Sequence, residues 1–87
     1  MANVIDANPL VLDTAATITL NPVVIHTIYW TGIGTDGDGL IIKDGKGNII
    51  WQATGEANVD KFIKLDGKVF QGLELDTIDS GTVLIYT

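Results

Sequence analysis

Apolar positions along this chain fall in short runs punctuated by Gly or by Asn-Pro, and several runs alternate with polar residues. That is the period-2 signature of strands. No stretch of a dozen residues keeps an i, i+3, i+4, i+7 stripe free of Gly, Pro or β-branched clusters, so little or no helix is expected. At most, Ala53–Asn58 makes a single turn. Two echoes, Asn8-Pro9-Leu10-Val11-Leu12 and Asn21-Pro22-Val23-Val24-Ile25, place turns ahead of strands, because proline cannot donate to a ladder. Strands are expected near 10–14, 16–20, 23–31, 40–43, 48–53, 59–65, 68–71, 73–77 and 82–86. About eight short strands with regular turns predict an all-β fold: a small antiparallel β-sandwich or jelly-roll-like domain, or a small barrel.

One hairpin can be put in register. Asp44 to Gly47 forms a four-residue loop, which pairs Lys43 with Asn48, Ile42 with Ile49, Ile41 with Ile50 and Leu40 with Trp51. Leu40, Ile42, Ile49, Trp51 and Ala53 then face the core. Ile41 and Ile50 form an apolar pair on the otherwise polar outer face. A C-terminal hairpin is expected between Leu73-Glu74-Leu75-Asp76 and residues 82–86. A three-residue loop, Asp79-Ser80-Gly81, puts Val83 and Ile85 inside with Leu84 and Tyr86 outside; a four-residue loop does the reverse. Strict alternation over 23–31 divides the apolar residues between both faces, with Val23, Ile25 and Tyr29 opposed to Val24, Ile28 and Trp30. Such two-sided strands are expected to be covered by a second layer or another subunit.

Composition sharpens this picture. Val, Ile and Thr make up a third of the chain and Gly occurs ten times, which are strand and turn proportions. The 87 residues form one small domain without cysteine, so disulfides and thiolate zinc sites are excluded. Yet 46% of residues are apolar and mean hydropathy is +0.31, an excess expected to cover contacts with other protein, first with copies of itself. Eleven acidic residues against five scattered Lys give a net charge of −6, which disfavours nucleic acid and anionic membranes as partners. The start of the chain has no basic region followed by an apolar stretch, so no secretory signal is read there, and the expectation is a cytoplasmically made protein.

The inventory for chemistry is thin: one His, one Ser, no Cys and no Arg. Gly32-Ile33-Gly34-Thr35-Asp36-Gly37 fits the dinucleotide pattern G-x-G-x-x-G, but a strand follows where that pattern needs a helix N-terminus. No cofactor is therefore expected. Asp36 and Asp38 are the candidate cation ligands, weak ones, since calcium takes six to eight oxygens and turns select Asp and Gly anyway. Ser80, His26 and an Asp could nominally compose a triad, which geometry and not inventory defines. The expectation is no enzyme.

Certain features resemble small tailed-phage virion proteins. They are Ile28-Tyr29-Trp30-Thr31-Gly32 closing a strand, Gly39-Leu40-Ile41-Ile42-Lys43-Asp44-Gly45, Asn48-Ile49-Ile50-Trp51, Gly72-Leu73, and Ser80-Gly81-Thr82-Val83-Leu84-Ile85-Tyr86. The resemblance is to capsid decoration (cement) proteins and other head-associated β-sandwich subunits, over about residues 14–87. It implies a non-enzymatic structural protein of the bacteriophage virion, on the capsid surface, that stabilises the shell as a homotrimer. Its partners would be itself and the major capsid protein, and it would be made in the host bacterial cytoplasm. Residues 1–13 are then an N-terminal arm and 14–87 a single β-sandwich domain. Ile41, Ile50, Leu84, Tyr86, Val4 and Ile5 are the expected oligomer or capsid contacts. The alternative is a carbohydrate- or receptor-binding module of a phage tail or a secreted protein, which an exposed aromatic row would favour.

Overall fold

The computed structural model describes residues 9–87, so Val4 and Ile5 lie outside the described residues. These residues build an all-β structure, a single antiparallel sheet of six strands. The strands are β1 (Leu10–Leu12), β2 (Ala16–Thr31), β3 (Gly39–Lys43), β4 (Ile49–Thr54), β5 (Lys61–Ile78) and β6 (Thr82–Tyr86). Their order is β1-β6-β2-β5-β3-β4, which leaves β1 and β4 as the two edges of an open sheet.

Two of the strands are far longer than the turn signals suggest. The runs expected at 16–20 and 23–31 are one strand, β2, and those at 59–65, 68–71 and 73–77 are one strand, β5. Asn21-Pro22 does not turn the chain. It is absorbed in a register irregularity between Thr19 and Pro22. On its other side β2 meets β6 only from Thr27 onward, so the missing Pro22 N–H costs the sheet little. Asp66 and Gly67, both at positive φ, likewise sit inside β5 and not in a turn. Between the pairs Ile25–Lys68 and Thr27–Lys64 they provide extra length on β5, and the two long strands kink there.

That kink decides which side chains are inside. It breaks strict alternation on β2, so Ile25, Ile28 and Trp30 are all buried. Tyr29 and Val24 are turned away from the core, half-buried and exposed respectively. The two-sided apolar character of 23–31 therefore follows mostly from a bulge that changes the face presented to the core, and less from cover on both sides.

The sheet curls around one core. Leu10 and Leu12 of β1, Val83 and Ile85 of β6, Leu40 and Ile42 of β3 and Leu73 and Leu75 of β5 share a single buried cluster with the β2 residues and Ile33. Burying a Leu- or Ile-sized side chain stabilises by roughly 1.5–3 kcal/mol against full exposure. The three-residue link Asp79–Gly81 carries the chain from β5 to β6, which are not neighbours in the sheet; β6 pairs with β1 and β2 instead. The expected C-terminal hairpin does not exist, although Val83 and Ile85 point inward as its three-residue version requires.

The β3–β4 hairpin differs in register from its expected form. Ile42 pairs with Trp51, Ile41 with Gln52 and Leu40 with Ala53, and a bulge separates these from Lys43–Ile49. The extra residue exchanges the roles of two isoleucines. Ile49, expected inside, is 55% exposed. Ile50, expected outside against Ile41, is half-buried and packs against the core with Trp51 and Ala53.

Candidate interaction surface

At one end of the molecule, the 32–38 loop, the 79–81 link and the 55–60 turn are tied to one another. Ile33, the loop's one large side chain, is buried in the core. The indole N–H of Trp30 donates to the Ser80 carbonyl at 2.9 Å. The Ser80 hydroxyl donates to Asp38 and accepts the Gly34 N–H at 3.0 Å. Asp36 Oδ1 accepts the Ala57 N–H at 2.7 Å, and Asp79 Oδ2 accepts the Gly39 N–H at 2.7 Å. Gly55 N–H donates to the Asp38 carbonyl at 2.6 Å, and Gly37 N–H donates to the Gly55 carbonyl at 3.0 Å. The glycine-rich loop between β2 and β3 is thus fastened at several points.

These bonds also account for the candidate chemistry. Asp36 and Asp38 serve different partners, and among the described residues no group of three or more acidic or His side chains could hold a metal ion. Ser80 is occupied by Asp38 and Gly34, and His26 is exposed in the middle of β2, with its ring against Gly67. The loop that carries the G-x-G-x-x-G pattern runs into β3 and not into a helix. Among the described residues no helix is long and apolar enough to cross a membrane.

The outer face of the sheet offers more. Register sets Val11 opposite Leu84, Leu84 opposite Tyr29 and Tyr29 opposite Phe62. One apolar row therefore crosses four strands, β1, β6, β2 and β5, on the side away from the core. The Tyr29 and Phe62 rings lie 6.2 Å apart at 17° between planes, and Phe62 is 58% exposed. Tyr86, exposed, follows one pleat away opposite Thr27. Side chains directly opposite on one face interact as pairs, so the row is a continuous strip and not scattered residues.

The strip has a polar end at Asp60. Its Oδ2 accepts the Tyr29 hydroxyl at 2.9 Å and its Oδ1 accepts the Thr31 hydroxyl at 2.9 Å. The hydrogen bond to Asp60, then desolvation, then the negative charges of Asp60 and Tyr86 raise the Tyr29 phenol above its ordinary value of 10.0. Away from the strip, a shallow apolar groove is lined by Leu10, Ile18, Pro22, Val23 and Val24.

Of the expected contact residues, Leu84 lies in the strip and Tyr86 beside it. Ile41 is half-buried on the outer side of β3 opposite Gln52, and Ile50 packs inward. Val11, Tyr29 and Phe62 are not among the expected oligomer or capsid contacts. Strict alternation places Tyr29 on the face of Val23 and Ile25, and cross-strand alignment is invisible without the register. Comparison with known families, characterised proteins and solved structures finds no match for this chain.

Proposed function

We propose that this protein is a non-enzymatic structural subunit of a tailed-phage virion, which coats and stabilises the capsid as a small homo-oligomer. The virion setting comes from the resemblance in sequence. The observation that carries the contact role is the outward strip Val11–Leu84–Tyr29–Phe62, an apolar surface spread across four strands of an acidic chain. Its two curled halves serve as the layers of a small β-sandwich, an arrangement supported by the shared core of β1 and β3 residues. Each contact with the shell is weak, and repetition over many identical sites makes the coat strong. Acidic exposed surface keeps the coated particle soluble.

The alternative reading, a carbohydrate- or receptor-binding module, draws on one feature: the near-parallel Tyr29–Phe62 pair, half-buried and exposed respectively, with Asp60 at its edge. One experiment separates the two. Particles lacking the protein, carrying it, or carrying Phe62→Ser with Leu84→Ser are heated or osmotically shocked and their survival is counted. Protection by the wild type and its loss in the variant support the coat role. Equal survival of all three rejects it, and saturable glycan binding lost with the same variant establishes the alternative. Deletion of residues 1–8, which carries off Val4 and Ile5, is expected to weaken attachment while leaving the domain folded.

A further inference from the structure

Antiparallel sheets with exposed edges invite pairing, and proteins blunt those edges with charge, proline or shortness. Among the described residues four main stretches of this sheet have one side unpaired by a strand. β1 is three residues long. The Ala16–Ile25 part of β2, which β6 does not reach, is interrupted by Pro22 and register shifts. The Lys61–Phe70 part of β5, which β3 does not reach, carries Lys61, Lys64, Asp66 and Lys68. The fourth is the whole outer edge of β4. Its sequence, Ile-Ile-Trp-Gln-Ala-Thr, has no charge and no proline. Its bulge lies at the turn end, and Trp51 to Thr54 pair regularly with β3.

We propose that the β4 edge binds β4 of a second copy of this chain, antiparallel about a two-fold axis at Gln52. The occupant follows from self-complementarity, which an isologous contact demands. At the axis Gln52 meets Gln52, and an amide both donates and accepts. On the core side the large Trp51 lies opposite the small Ala53 of the other copy, in line with the alternation of the pleat. Antiparallel direction brings the Lys46 turn of one copy alongside the Glu56 end of the other. Glu56 faces its own Lys61 at 3.7 Å, yet its side chain is 64% exposed and open to a second cation. Two chains of net charge −6 repel over most of their surface, and an uncharged edge is where they can approach. Ile49, 55% exposed, is covered in the pair.

This inference rests on the self-association in the proposed function and is independent of the capsid. Because an isologous edge contact closes at two, it yields a dimer and not the trimer that the resemblance implies. Light scattering on the purified chain at micromolar concentration is expected to give about twice the 9.3 kDa chain mass. Gln52→Lys, at an exposed position, should raise the dimer dissociation constant at least about tenfold through like charge at the axis, with an unchanged circular dichroism spectrum. The chain has no native cysteine, so Gln52→Cys should crosslink to a covalent dimer under oxidation while Phe62→Cys does not. A monomer overturns both the β4 contact and self-association. A trimer, or crosslinking through Cys at 62 and not at 52, overturns the β4 contact alone.

Discussion

The indole of Trp30, wholly buried, donates its N–H to the carbonyl of Ser80, fastening the end of β2 to the link between β5 and β6. This bond satisfies the polar atom of the largest core side chain. Trp30→Phe removes the donor, leaves the Ser80 carbonyl short of a partner and opens space beside Gly55, whose α-carbon is packed against the indole. A loss of about 2–3 kcal/mol is expected. For a domain of this size, thermal unfolding monitored by circular dichroism should fall by roughly 10–20 °C. An unchanged midpoint would show that the indole contributes only bulk.

Gly81 is held at φ +81°, and a Cβ there would overlap the Thr31 carbonyl oxygen. Gly47 has a similar φ, +86°, with open space around it. Gly47→Ala should cost only the left-handed penalty, about 1–2 kcal/mol. Gly81→Ala should cost at least about 3 kcal/mol, because backbone must move as well. Denaturant midpoints of the two variants, measured side by side, test the difference.

Tyr29 titration reads out the Asp60 contact. Its phenol is raised, so the neutral form is favoured in the folded chain. The stability this contributes is complete below the ordinary tyrosine value and is lost as pH rises through the raised one. Ultraviolet titration of the Tyr86→Phe chain, which isolates Tyr29, should give a midpoint above 10.0, and adding Asp60→Asn should lower it. No change on Asp60→Asn would mean that the contact is absent in solution.

Asp44 holds the β3–β4 turn from its carboxylate. Desolvation raises its pKa, but the N–H groups of Asn48 and Lys46, the Asn48 amide and the Lys46 charge outweigh this and hold the group below its ordinary 3.8. Its stabilisation is present above that value and disappears as pH falls through the lowered one. Chemical-shift titration of the carboxyl should therefore end below 3.8, and Asp44→Ala should make the hairpin less stable at neutral pH while flattening the acid limb of the stability curve.

Where alternation runs unbroken, the sequence was a sufficient guide. Leu40 and Ile42, and Leu73 and Leu75, are buried as their spacing indicates, whereas the burial of Val83 and Ile85 settles a facing that the sequence leaves open between two loop lengths. Where one residue is inserted, the reading inverts. Ile49 and Ile50 exchange roles at a bulge, and Tyr29 leaves the side of Ile25 at the His26–Thr27 irregularity. Asn21-Pro22 and Asp66-Gly67 carry the chemistry of turns, and local sequence does not distinguish a turn that ends a strand from a bulge within one. The outward strip depends on three registers at once, β1 with β6, β6 with β2 and β2 with β5, so no single segment could announce it.

The long pairing of β2 with β5 also sets a clock. β2 can find β5 only after the chain has made β3 and β4 and brought β5 back along it, and β1 closes on β6, the sixth strand in chain order. Among the described residues the one strand pair joined by a direct turn is β3–β4, which can form within about 1–10 μs, whereas folds built on distant pairings take milliseconds to seconds. During that interval the β3–β4 hairpin waits with a free edge on each side, one of them the uncharged β4. Emergence of Thr82–Tyr86 from the ribosome, which brings in the core residues Val83 and Ile85, is the step that lets β1 and β2 close on β6.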